Sequence, residues 1–145
     1  MNVDPRTRIL HTDEELRDLL ALLLQRASAR QVWMLFIDAQ GRLGDPVIPM
    51  ADHPSDPLET VTVDDLGEVA LSHLMVRRIA MLLEATGHAS AVLVWERLGS
   101  ERITGNDRAW ARAMVEQAHD LGLPLRAQFV LHREGIRQLH PDDYL

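Results

Sequence analysis

The sequence predicts an α/β fold: a single domain built on one mixed β-sheet, with helices packed on its faces. Three observations carry this. Segments with helical apolar spacing alternate with short, almost continuous apolar runs, the pattern of helices covering buried strands. Glycine and proline clusters fall where one kind of segment gives way to the other. A chain of 145 residues, 46% of them hydrophobic, fits one domain with a proper core.

The elements follow in order. "HTDEELRDLLALLLQRASAR" opens with a capping box, Thr12 accepting from the backbone of Glu15 while the Glu15 side chain reaches back. Leu16, Leu19, Leu20, Leu23 and Leu24 give this helix one buried face. "QVWMLFID" reads as a buried strand, "AQGR" as a turn, and "DPVIPM" as a short second strand that its prolines confine to an edge. "VDDLGEVALSHLMVRRIAMLLEATG" predicts one helix, with Asp64 and Asp65 at its N-terminus and Gly87 at its stop. Its buried side is expected to hold Leu66, Val69, Ala70, Leu74, Ile79, Met81 and Leu82. "ASAVLVWE" is a third strand and "RLGSERITG" a polar loop. "NDRAWARAMVEQAHDLG" is a helix capped by Asn106 and ended by Gly122, and "LPLRAQFVLH" and "IRQLH", joined by "REG", close the chain as a strand pair.

Composition removes several chemistries. There is no cysteine, so disulfides, thiolate zinc sites and cysteine nucleophiles are excluded. All 15 basic residues are arginine, which excludes Schiff-base and phosphate-loop lysines. A formal net charge of −7 argues against a general nucleic-acid binder. "MNVDPRTRIL" lacks the apolar core of a signal peptide, and no run approaches the ~18 apolar residues of a membrane span. The expectation is a cytoplasmic protein with no nucleic-acid or membrane partner.

The densest polar cluster is "MADHPSDP", where His53 stands between Asp52 and Asp56. An imidazole and two carboxylates could hold a divalent ion, but only if they converge on one point. Asp and Ser beside Pro54 and Pro57 are ordinary turn chemistry, so a loop is the first expectation. His11, His73, His88, His119, His132 and His140 are scattered, with no H-x-H or H-E-x-x-H spacing. No nucleophile elbow or glycine-rich phosphate loop is present.

Several segments resemble the JAB (JAMM, MPN-type) domain of RadC-like proteins, over nearly the whole chain. "TDEELRDLL" is similar to the helix before that domain, and "LFIDAQGRLGDPVI" to its first hairpin. "ASAVLVW" resembles the strand that delivers the metal motif, and "DRAWARAMVEQAHDLGLPLRAQFVLHREGIRQL" the helix and hairpin after it. The resemblance implies a JAB/MPN-like fold with cytidine-deaminase-like layering, here without the helix-hairpin-helix region that accompanies some family members. In that family H-x-H-x(7)-S-x(2)-D supplies zinc ligands and a glutamate acts as general base in metal-assisted amide hydrolysis. Laid on "WERLGSERITGNDR", the spacing puts Trp95 and Arg97 at the histidines, Gly105 at the serine and Arg108 at the aspartate. The glutamate position falls near Asp45 or Pro46.

Every ligand is thus replaced, and guanidinium groups repel a divalent cation. The resemblance therefore implies a catalytically inactive, metal-free domain that works as a protein-interaction or scaffold module, with a partner protein or self-association and no cofactor. No catalytic residue is assigned. Trp95, Arg97 and Arg108, with Asp45, Glu96 and Asp107, form the candidate ligand or partner surface. Two alternatives remain. One is a hydrolase with a displaced metal site on His53, Asp52 or Asp56, which requires the "MADHPSDP" loop to lie against the end of the third strand. The other is a small-anion sensor using Arg97 and Arg108.

Overall fold

The computed structural model describes residues 7–145; the start of the N-terminal stretch read above, residues 1–6, lies outside the described residues. The elements run α1 (Asp13–Leu24), β1 (Gln31–Ile37), β2 (Leu43–Ala51), β3 (Thr60–Val63), β4 (Gly67–Ala70), α2 (Leu71–Thr86), β5 (Ser90–Glu96), α3 (Gly105–Leu121), β6 (Leu125–His132), β7 (Gly135–Leu139) and α4 (Pro141–Tyr144). Five strands form a mixed sheet in the order β2-β1-β5-β6-β7, while β3 and β4 form a separate hairpin. Among the described residues, only β5 and β6 pair in parallel. A parallel pair needs a crossover, and α3 supplies it.

Strand alternation divides the core into two. Ala91, Leu93 and Trp95 of β5 join Met75 and Ile79 of α2 and Trp110 and Met114 of α3 on one face. Val92 and Val94 meet Leu16, Leu19 and Leu20 of α1 on the other. With both faces covered, β5 is apolar from Ala91 to Trp95. Each fully buried leucine of α1 contributes roughly 1.5–3 kcal/mol. That stripe holds a 12-residue helix that would be marginal alone.

Several local expectations are corrected. The helix foreseen from residue 63 begins only at Leu71, because residues 60–70 form the β3–β4 hairpin. The β-branched run Thr60–Val63 favours a strand, and Gly67 takes a left-handed φ of +72° just after the turn. Asp64 and Asp65 therefore sit in the turn, and Asp65 pairs with Arg78 at 2.9 Å. Ala70 caps α2 without a side-chain bond. The loop before it does the capping instead: Leu71 and Ser72 donate their N–H groups to the carbonyls of Glu59 and Pro57. Met81 and Leu23 are exposed, not buried. Thr104, not Asn106, caps α3, with Asp107 completing the capping box. At α1, Thr12 accepts from the Glu15 backbone as expected, while the Glu15 carboxylate meets the Thr12 hydroxyl.

Gly44 in β2 lies against His88, and a Cβ there would stand 2.0 Å from His88 Nε2. His88 is held by Thr86 Oγ1 at 2.7 Å and packs on Phe36. Gly44→Ala must displace that ring, and a loss of about 1–3 kcal/mol in urea unfolding is expected. An unchanged midpoint would show that His88 swings aside freely.

Candidate functional site

The C-terminal end of β5 and the N-terminus of α3 meet where the parallel pair begins its crossover, the usual location of a crevice in sheets of this kind. The 51–59 loop folds over this end. Trp95, only 4% exposed, donates from Nε1 to Gln128 Oε1 at 2.9 Å, and Gln128 donates to the carbonyl of Ala111 at 3.0 Å. Trp110 packs on Trp95 with ring centroids 5.2 Å apart and donates to the carbonyl of Pro54 at 2.8 Å.

His53 is buried at 5% exposure, edge-on to Trp95 at 5.4 Å and to Trp110 at 5.5 Å. Arg30 donates to the carbonyls of His53 and Pro54, and Asn106 to that of Ser55. Side chains from before β1 and from α3 thus clamp three consecutive loop residues. His53 is a loop histidine, as its neighbours suggest, but it sits inside the fold. Its Nδ1 is buried with no hydrogen-bond partner. Burial first, then the Arg30 charge, pushes its pKa down to about 4, so the ring is neutral at pH 7.

Arg97 and Asp107 form a largely buried pair. Arg97 Nε lies 3.0 Å from each Asp107 oxygen and Nη2 lies 2.8 Å from Oδ2. The rest of the fork donates to the carbonyls of Ser100 and Arg102, both at 2.8 Å. Asp107 also accepts from the backbone N–H of Thr104 at 2.9 Å. Glu96 accepts from the N–H groups of Ser28 and Ala29, from Gln31 and from the Trp33 indole, all at 2.7–2.8 Å. Burial acts to raise the Glu96 carboxyl, but these donors, the Ser28 N–H foremost, outweigh it and hold the group below its ordinary range.

Between the loop and these groups lies a cavity of about 70 Å³, reached by His53, Trp95, Arg97 and Asp107. It is less than half the roughly 150 Å³ that accommodates benzene, so no drug-sized ligand enters.

The structure therefore brings together Trp95, Glu96, Arg97, Asp107 and His53. It does not bring the other candidates to them. Arg108 is exposed and donates to the Asp143 carbonyl at 3.2 Å. Asp45 is exposed on β2, five residues before Met50, whose partner Val32 pairs with Trp95. That places it roughly 16 Å along the strand from the cleft. Asp52 and Asp56 are exposed, and Asp56 closes its own turn through the Leu58 N–H. Among the described residues no group of three or more His, Asp or Glu side chains is placed to hold a metal ion.

Sequence reasoning missed Arg30, Thr104 and Trp110, and gave Asn106 only as a helix cap, not as a donor to the loop. Nothing in a linear pattern links a residue ahead of β1 to a loop after β2, and nothing in the α3 sequence singles out Trp110. Comparison with protein-family models gives no match for this chain, and no curated protein matches it. No helix among the described residues is long and apolar enough to cross a membrane.

Proposed function

We propose that the chain is a JAB/MPN-like domain whose metal cleft is rebuilt as an aromatic and ionic cluster, and that it works without catalysis as a protein-interaction module. The observation that carries this reading lies at the two positions where the resemblance puts zinc histidines. Trp95 is buried with its N–H on Gln128, and every nitrogen of the Arg97 fork is engaged, chiefly by Asp107. A cation there would meet a guanidinium, and the nearby Glu96 and Asp107 carboxylates already accept from several donors. The loop that could have carried a displaced site brings one imidazole and neither of its carboxylates.

Metal content tests the reading. Purified protein is expected to carry far less than one equivalent of zinc and to melt at the same temperature with or without a chelator. A metal binding the native state, at a hundred times its Kd, would stabilise it by roughly 2.7 kcal/mol. Stoichiometric zinc, removed by a chelator together with a hydrolytic activity, would overturn the proposal.

A further inference from the structure

The two edges of the sheet are not alike. On β2, Pro46 and Pro49 lack N–H groups, and the register with β1 slips between Met34 and Phe36. Prolines and irregular register are the usual means of keeping an edge from recruiting another strand. On β7 neither device is present. Gly135–Leu139 contains no proline and pairs with β6 in an unbroken register. Outside that ladder its backbone makes no hydrogen bond among the described residues. Five residues match a usual strand length, enough to seat one added strand.

This edge lies in an open groove of about 550 Å³, flanked by Asp13, Glu14 and Arg17 of α1 and by Glu101. Most of the charge there is internally paired: Asp13 with Arg126, Arg17 with Asp18, and Arg137 with Asp143. Glu14 and Glu101 have no ion-pair partner among the described residues, which leaves the rim negative.

We infer that the outer edge of β7 is a docking strand for an extended, basic segment of a partner protein, which adds to the sheet beside β7. Main-chain hydrogen bonds supply affinity in this mode, and the flanking side chains supply selectivity. The acidic rim selects lysine and arginine. A second copy fits less well: it would bring two acidic rims together, each on a chain of formal net charge −7. The inference rests on the interaction-module reading and names the surface and the partner's chemistry.

The test uses the full chain and a phage-displayed library of random nonapeptides. Enriched peptides are expected to alternate Lys or Arg with β-branched residues. Titrating one of them into ¹⁵N-labelled protein is expected to shift the amides of Gly135–Leu139 most. The exposed pair Glu14→Lys and Glu101→Lys is expected to weaken binding by about tenfold, with a melting temperature lowered by only a few degrees because Glu14 lies in the first turn of α1. Enrichment of acidic peptides, or shifts that spare β7, would overturn the inference. So would a concentration-dependent dimer with protected β7 amides, in favour of a second copy. A library with no enrichment would also overturn it, yet would leave the module reading standing, since only zinc with an activity defeats that.

Discussion

Asp107→Ala is expected to lower the unfolding free energy by about 3–5 kcal/mol, the cost typical of removing one partner from a buried ion pair. Asp107 is 5% exposed and Arg97 keeps 16% of its side-chain surface. Without the carboxylate, Arg97 holds a charge out of water with only the Ser100 and Arg102 carbonyls to solvate it. The same substitution strips the Thr104 N–H of its acceptor and removes a negative charge from the first turn of α3. Asp107→Asn keeps acceptors and is expected to lose less. Urea unfolding of Asp107→Ala, Arg97→Ala and the double variant checks the coupling. The double variant should lose clearly less than the sum of the singles; simple additivity would mean that the two groups act independently.

His53 is expected to make stability fall on the acid side, by an amount of roughly 2–3 kcal/mol. Its folded pKa is depressed from 6.5 to about 4, so between these values the unfolded chain binds more protons than the folded one. The contribution of the neutral ring is therefore complete above pH 6.5. It declines as pH drops toward about 4, below which no further loss comes from this group. Burial and the Arg30 guanidinium, which lies on the His53 carbonyl, oppose charging of the ring. Replacing it by phenylalanine, His53→Phe, keeps an aromatic ring between the indoles and removes the titration. Urea midpoints across pH 4 to 7.5 should show a shallower slope for the variant. Parallel curves would mean that His53 titrates as an ordinary histidine.

Much of the sheet was legible because β1 and β5 are largely buried, and their almost continuous apolar runs leave few other readings. The β3–β4 hairpin was not, because "DDLGEVA" offers a helix N-terminus and a turn at once. Only the pairing of Val63 with Gly67 and of Thr60 with Ala70 decides between them. The candidate site was half legible. The family resemblance, and no motif of the chain's own, pointed to the end of the third strand, where Trp95, Arg97 and Asp107 line one cavity. Arg108 was misplaced because its helical position turns it toward α4, one residue round from the buried Asp107. The clamp on His53 could not be read at all, since Arg30, Pro54 and Trp110 are joined only by the closed fold.

All three tryptophans of the chain gather at one end of the sheet: Trp33 on Glu96, and Trp95 and Trp110 on each other and on His53. The intrinsic fluorescence of this protein is therefore a local signal and not an average over the molecule. Two indoles 5.2 Å apart also couple their electronic transitions, giving the cleft its own signature in circular dichroism. Loosening of the 51–59 loop would register through Trp95 and Trp110, while Trp33, packed with the α1 leucines, reports on the other face of the sheet.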